Sequence, residues 1–122
     1  MPLTRTTPIL RSFDARLMRA FYVDYLGFEL LFEHRFEPSL PLYCGLQRDA
    51  CELHLSEHHG DASPGAALRI AVDDVDALAA ELATKQVSHN RPEVQTMPWG
   101  TRDLTVVDPF GNRLTFTSAV SL

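Results

Sequence analysis

The residues best suited to chemistry are four side chains near the middle of the chain, His54, Glu57, His58 and His59. Imidazole and carboxylate groups are common ligands of divalent metals, so a metal site built from these four is one hypothesis. However, His58 and His59 are adjacent, and neighbouring side chains on an extended segment point in opposite directions. We therefore predict solvated or interface histidines, and we keep the metal site as the alternative.

Other catalytic patterns are missing from the sequence. It has no Gly-x-Ser-x-Gly elbow, no His-Glu-x-x-His pair and no Gly-rich loop that binds phosphate. The two cysteines, Cys44 and Cys51, lack Cys-x-x-Cys spacing, so we predict buried thiols without a disulfide. The net charge of −5 disfavours nucleic-acid binding, which depends on Lys and Arg.

Length and composition favour one ordinary globular domain. With 122 residues, 45% of them hydrophobic and 22% charged, the chain can bury one sizeable core. No apolar run approaches the roughly 20 residues that span a bilayer, and the N-terminus lacks the apolar centre of a signal peptide. We therefore expect a cytoplasmic protein without membrane partners.

Hydrophobic spacing predicts the elements of the first half. A strand is predicted over Thr7–Ser12, followed by a helix from its N-cap Asp14 to about Leu26 and by Gly27 in the left-handed conformation. A second strand then alternates with period two. This alternation predicts one face made of Phe28, Leu30, Phe32, His34 and Phe36.

A hairpin is predicted next, with strands Leu42–Gln47 and Ala50–Ser56 around a turn at Arg48-Asp49. That register places Tyr43 opposite His54 and pairs Cys44 with Leu53. Two faces follow from the alternation. Leu42, Cys44 and Leu46 share one with Cys51, Leu53 and Leu55, while Tyr43 and Gln47 share the other with Glu52, His54 and Ser56.

The second half repeats this pattern. A strand over Ala67–Val72, a cap at Asp73 or Asp74 and a helix from Val75 to about Gln86 match the first half at an offset of about 60. The closing strands match at an offset of 61, which aligns His54 with Thr115. We predict two βαβββ modules, residues about 5–57 and 66–118, joined by a linker over 58–65 within a single domain of residues 1–122.

Two motifs close the chain. Pro98-Trp99-Gly100 precedes a strand, and Asp108-Pro109-Phe110-Gly111-Asn112 predicts a tight β-hairpin turn with Gly111 in the left-handed position. Together they resemble the vicinal-oxygen-chelate superfamily, which includes glyoxalases and dioxygenases, and especially its bleomycin-resistance proteins. The resemblance implies an α+β fold, in which two repeated βαβββ units form curved mixed sheets and two chains swap units in a homodimer.

The resemblance also implies where a metal would bind. Enzymes of this superfamily hold a divalent metal through four side chains, whose positions here are Thr7, His54, Ala67 and Thr115. Only His54 is a good ligand, because Ala67 has no donor atom and threonine hydroxyls bind divalent ions poorly. We therefore expect no metal cofactor. The alternative is a divergent lyase, isomerase or dioxygenase with a non-standard metal site.

Because three of these four positions lack a good metal ligand, the resemblance predicts a groove that binds and sequesters a bleomycin-like antibiotic without catalysis. Trp99 matches the motif tryptophan, and stacking on aromatic rings suits flat heteroaromatic ligands. The predicted contacts are Trp99, Phe32, Phe36, His54, Tyr43, Ser56 and Thr115, with Arg69 as a further candidate. Carboxylates that would attract a cationic tail are Glu33, Glu37, Glu52, Glu57 and Asp61. Another aromatic small molecule is the remaining alternative, and the contribution of Val87–Met97 stays open.

Overall fold

The computed structural model describes residues 1–85 and 91–120. The chain divides into two compact units, Met1–Pro64 and the described residues from Gly65 onward. The predicted helix end near Gln86 and the first part of the segment Val87–Met97, up to residue 90, lie outside the described residues.

The first unit has one helix and a four-stranded sheet. Its elements are β1 Ile9–Arg11, α1 Ala15–Arg19 with a π-helical continuation over Ala20–Tyr25, β2 Glu29–His34, β3 Tyr43–Arg48 and β4 Cys51–Ser56. The strand order is β1-β4-β3-β2, with β1 parallel to β4 and the other pairs antiparallel. This is the predicted βαβββ arrangement.

The helix begins and ends where the sequence predicts. Asp14 accepts a hydrogen bond from the Leu17 amide at 3.0 Å, which satisfies one free N–H of the first turn. In the second half of this helix the Leu26 amide donates to the Phe21 carbonyl at 2.9 Å. This five-residue spacing makes these turns π-helical, whereas an α-helix was predicted. Gly27 follows with φ 77°.

The predicted alternation of β2 is wrong in one respect. Leu30 pairs with Leu46, but Phe32 pairs with Gly45. Between these two pairs β2 therefore contains one extra residue, Leu31, that has no counterpart on β3. This β-bulge at Leu31 reverses the alternation. Leu30 therefore shares a face with the buried side of β3, whereas Phe32 and His34 lie on the opposite face of the sheet.

The β3–β4 hairpin has the predicted faces but a different register. Tyr43 pairs with Ser56 and Cys44 pairs with Leu55, because the turn lies at Asp49-Ala50 and Asp49 takes φ 52°. Both cysteines are free: Cys44 is buried, while Cys51 is half-buried. Burial raises the pKa of the Cys44 thiol to about 11, so this side chain is a neutral apolar group at neutral pH and not a nucleophile.

The second unit repeats the topology. It contains β5 Ala67–Ala71, α2 Val75–Ala83, β6 Gln95–Thr96, β7 Thr101–Val107 and β8 Arg113–Ala119, in the sheet order β5-β8-β7-β6. The predicted offsets of 60 and 61 are confirmed: Ile9 pairs with His54 in the first sheet, and Arg69 pairs with Thr115 in the second. The repeat implies a strand between α2 and β7, but the position of the short strand β6 was not predicted.

The β7–β8 turn has the predicted form. The Asp108 carboxylate accepts hydrogen bonds from the amides of Phe110 and Asn112 at 2.9 and 2.8 Å and from the Asn112 side-chain amide at 2.8 Å. Gly111 has φ 88°. The buried Asn112 side chain also accepts from the Ala66 amide at 3.2 Å, which ties this turn to the start of β5.

Each unit buries one face of its sheet with its helix. Alternate strand residues are buried, among them Leu53 and Leu55 in the first unit and Leu104 and Phe116 in the second. The alternation leaves the opposite face available for polar and aromatic side chains. Within the described ranges, no helix combines the length and apolar character needed to cross a membrane.

Candidate functional site

The seven predicted ligand contacts fall into two groups. Five of them belong to the first unit, and Trp99 and Thr115 belong to the second. Each group lies in its own unit.

In the first unit, Phe32, Tyr43 and His54 form a ring cluster on the face away from the helix. The Phe32 and Tyr43 rings are nearly parallel, with centroids 6.2 Å apart, and Phe32 meets the His54 ring edge-on at 5.3 Å. The β2 bulge makes this possible, because it turns Phe32 to the same face as the other two rings. Three predicted contacts are therefore neighbours.

Hydrogen bonds fix the His54 ring from both sides. The Tyr43 hydroxyl lies 2.7 Å from Nδ1, and the Glu52 carboxylate lies 2.7 Å from Nε2. An ionised carboxylate only accepts, so Nε2 carries a proton, and in the neutral ring Nδ1 then accepts from Tyr43. Burial, with smaller effects from nearby acidic groups, raises the pKa of the Tyr43 hydroxyl. Tyr43 thus stays protonated and oriented at neutral pH.

Gly45 provides the space that Phe32 occupies. A Cβ atom at position 45 would overlap Cε1 of the Phe32 ring, far inside van der Waals contact. The Phe32 ring therefore packs directly against the backbone of β3 at Gly45, where no side chain is present.

We expect Gly45→Ala to destabilise the protein by about 1–3 kcal/mol through this overlap. Phe32→Ala removes the ring, so the cost of adding Gly45→Ala in that background should fall to nearly zero. Urea unfolding of the two single variants and the double variant measures this coupling. Equal costs of Gly45→Ala with and without Phe32 would show that the ring does not depend on the glycine.

The other two predicted residues of the first unit differ in exposure. Phe36 is 73% exposed, beyond the end of β2, with its ring edge-on to His34 at 4.7 Å. Ser56 is buried: its hydroxyl donates to Asp61 at 2.6 Å and accepts from the His58 amide at 3.0 Å. Phe36 can be covered by a ligand, whereas Ser56 stabilises the loop that follows β4.

The second unit contains a cavity of about 490 Å³ on the side where Trp99 lies. Pro98-Trp99 forms a turn closed by a hydrogen bond from the Gly100 amide to the Met97 carbonyl at 3.1 Å, and Gly100 takes φ 97°. This turn leaves Trp99 62% exposed. The cavity is lined by Arg69, Arg91, Glu93, Gln95, Met97, Trp99, Asp103, Thr105 and Thr115.

Polar side chains from neighbouring strands meet in this lining. Arg69 pairs with Thr115, and Thr115 pairs with Thr105, with their hydroxyls 2.9 Å apart. In the next row Thr117 pairs with Asp103. Since these positions alternate with the buried Leu104 and Val106 on β7, they lie on the face away from α2.

An ion pair lies within this lining. Nη2 of Arg69 is 3.2 Å from Oδ2 of Asp103 and 3.3 Å from the Thr117 hydroxyl. A hydrogen bond from Thr117, together with Arg69, holds the pKa of Asp103 below its usual value, against the opposing effect of burial. The Asp103 side chain is only 8% exposed, so its ionised form depends on these partners.

This ion pair predicts a pH dependence of stability. A carboxylate with a lowered pKa in the folded state stabilises that state above its unfolded pKa, and the contribution is lost as the pH falls through the folded value. We expect the melting temperatures of wild type and Asp103→Asn to differ most above about pH 5 and to converge towards about pH 2. Thermal unfolding of both proteins across this pH range tests the prediction. A difference in melting temperature that does not depend on pH would contradict a stabilising role of the ionised Asp103 carboxylate.

Most carboxylates predicted to attract a cationic ligand have internal partners instead. Glu33 pairs with Arg19 on the helix-covered face, because the bulge turns it there. Glu52 contacts His54 at 2.7 Å. The Glu57 carboxylate accepts from the Leu42 amide at 3.0 Å, and Asp61 accepts from Ser56.

Among the described lining residues, the acidic groups are Asp103 and Glu93, which the sequence did not suggest. Alternation along β7 was the available signal for Asp103, since Leu104 and Val106 define the buried face. Arg102, the neighbour of Asp103, points to the other face and pairs with Asp76 of α2 at 2.6 Å.

The metal positions implied by the resemblance do not fit a metal ion. Ala67 has no donor, and the partners of His54 and Thr115 across the parallel strand pairs are Ile9 and Arg69, which are not metal ligands. Across residues 1–85 and 91–120, no three His, Cys, Asp or Glu side chains are grouped to hold one ion. The alternative site is not assembled either, because both ring nitrogens of His54 have protein partners.

Comparison with known proteins gives the family. The family profile described as Glyoxalase superfamily protein matches residues 1–121. The chain belongs to the glyoxalase superfamily. A search of curated protein sequences returns no match.

Solved structures of this superfamily are similar over the whole chain. The bleomycin-binding protein of Streptomyces verticillus, complexed with copper(II)-bleomycin, is 30% identical with a TM-score of 0.71, and the match covers 100% of this chain and 99% of that one. The bleomycin resistance determinant of transposon Tn5 is 23% identical with a TM-score of 0.73, covering 98% and 100%. TnmS3, an antibiotic binding protein from Streptomyces sp. CB03234, is 21% identical with a TM-score of 0.71, covering 98% of each chain. The two more distant structures support the glyoxalase-superfamily fold alone.

Proposed function

We propose that this protein binds and sequesters a bleomycin-type antibiotic without making or breaking a bond. The observation that carries the proposal is Trp99, a large ring left 62% exposed at a cavity of about 490 Å³. An exposed tryptophan next to a cavity gains most when a flat apolar ring covers it. The 30% identity to a bleomycin-binding protein supports the same ligand class.

The predicted contacts of each unit remain proposals, and they include both stacking surfaces and polar groups. In the second unit they are Trp99 and Thr115, and in the first unit they are Phe32, Phe36, Tyr43 and His54. Ser56 acts through the loop it stabilises, because its hydroxyl is already bonded to Asp61 and the His58 amide. Resistance then follows from mass action, since bound drug is withdrawn from its target in the cytoplasm.

We also propose that the protein is a homodimer with exchanged units. The outermost strand of the first sheet, β2, is exposed along its length and displays Leu30, Leu31 and Phe32, each at least 39% exposed. An exposed apolar edge strand is a common site of pairing with a second chain. Light scattering in solution tests this, and a monomer at all concentrations would contradict it.

A calorimetric titration with copper-loaded and metal-free bleomycin tests the ligand. We expect submicromolar binding of the copper complex at about one molecule per chain, because each chain contributes one Trp99. Neither heat nor thermal stabilisation with either form would overturn the proposal.

The same preparation, purified without an affinity tag, addresses a metal-dependent activity. Elemental analysis showing stoichiometric zinc, nickel, iron or manganese would contradict pure sequestration. It would also require ligands other than the four family positions, since Ala67 has no donor atom.

A further inference from the structure

The second unit's cavity has ionisable side chains whose charges cancel. Among the lining residues within 1–85 and 91–120, Arg69 and Arg91 are cationic and Glu93 and Asp103 are anionic, so these two pairs of opposite sign give no net charge. A strongly charged ligand group therefore gains little from the sum of these charges. The cavity must recognise its ligand by the pattern of donors and acceptors.

The Arg69–Asp103 pair supplies such a pattern. All the hydrogen bonds and ion pairs of the Arg69 side chain with the described residues come from Nη2, which contacts Asp103 and Thr117. Nη1 and Nε have no such partner within residues 1–85 and 91–120, and the side chain is 53% exposed. These nitrogens are donors available to an acceptor in the cavity.

Acceptors lie beside these donors. The Asp103 carboxylate remains ionised, and the Thr105 and Thr115 hydroxyls, bonded to each other at 2.9 Å, keep lone pairs for a donor. Donor and acceptor groups thus lie side by side on a single face of β5, β8 and β7.

We infer that the Arg69–Asp103 side of the cavity recognises a neutral planar group with an adjacent acceptor and donor, such as a primary carboxamide, on a ligand whose aromatic part stacks on Trp99. The carbonyl oxygen accepts from Arg69, and the amide N–H donates to Asp103 or to the threonine pair. An anionic group would face Asp103, and a cationic group would face Arg69. This inference rests on the proposed function only in placing the antibiotic in the same cavity.

A matched set of four probes tests the inference. Naphthamide carries donor and acceptor, its N,N-dimethyl derivative carries the acceptor alone, naphthoate is anionic and naphthylmethylammonium is cationic. The chain's one tryptophan gives one indole N–H resonance, so NMR titration reports binding at Trp99 directly. We expect naphthamide to bind about fivefold or more tightly than each of the others, as one or two added hydrogen bonds allow.

Two variants should redirect this preference. Asp103→Asn leaves Arg69 without its counter-charge, so naphthoate should become the tightest probe by about tenfold. Arg69→Gln leaves Asp103 uncompensated, so naphthylmethylammonium should become the tightest. If Asp103→Asn fails to fold, Arg69→Gln alone still tests the inference, because Arg69 is half-exposed. Arg113→Gln, at a β8 position outside the lining, should leave the ranking unchanged.

The outcomes separate this inference from the proposed function. If the four probes bind in the expected order but copper-loaded bleomycin does not bind, the inference is supported. The proposal that the ligand is a bleomycin-type antibiotic is then overturned. Equal affinities for naphthamide and its dimethyl derivative, or a ranking that neither variant changes, would overturn the inference even where bleomycin binds. The absence of any probe-induced shift of the indole resonance would overturn it as well.

Discussion

Replacing Trp99 by Ala should weaken binding of copper-loaded bleomycin by about 10- to 100-fold, which is the usual cost of removing an aromatic anchor from a binding site. The melting temperature should change by no more than about 2 °C, because the side chain is 62% exposed and contributes little to the core. Calorimetry and thermal unfolding of the same samples give both quantities.

Phe13→Ala is the matched control for this variant. Phe13 is also aromatic and exposed, at 57%, but it does not line the cavity. Its removal should leave the affinity unchanged. Equal losses of affinity in both variants would show that the effect comes from exposed apolar surface in general. Unchanged affinity in Trp99→Ala would show that the drug binds elsewhere.

Among the substitutions proposed for this protein, Asp108→Ala should cause the largest loss in the free energy of unfolding, about 3 kcal/mol. The buried carboxylate accepts three hydrogen bonds, and without it two backbone amides and the Asn112 side-chain amide lose a partner. The melting temperature should fall by about 10 °C or more. Urea unfolding followed by circular dichroism measures the change.

Asp74→Ala supplies the comparison, since it also removes an aspartate that holds a turn of backbone. Asp74 accepts one hydrogen bond, from the Ala77 amide at 3.1 Å, at an exposed helix N-cap. Its loss should cost about 1 kcal/mol. An Asp108→Ala variant no less stable than Asp74→Ala would show that the turn network adds little.

Local chemistry made much of the fold predictable. Asp14 and Asp74 cap their helices because a short acidic side chain reaches the free amides of the first turn, and this requires only neighbouring residues. Gly111 and Gly27 take positive φ where the sequence requires it. The predicted offsets of 60 and 61 relate the pairing of Ile9 with His54 in the first sheet to that of Arg69 with Thr115 in the second.

The features that escaped prediction depend on partners distant in sequence. The bulge at Leu31 has no marker in an alternating strand, and it is visible only through the pairing of Phe32 with Gly45. The hairpin turn is a local exception: it lies one residue later than predicted, because Asp49 tolerates a positive φ. Nothing near Asp103 in the sequence indicates that Arg69, 34 residues away, is its counter-charge.

The two sets of bonds made by Asn112 also bear on the order of folding events. Its contacts with Asp108 join residues 4 apart, whereas its bond to the Ala66 amide joins residues 46 apart. Closing a short loop is entropically cheaper than closing a long one, so the β7–β8 hairpin should form early and β5 should dock onto it later. Because the turn already orients the Asn112 oxygen, it offers the arriving strand a preformed acceptor.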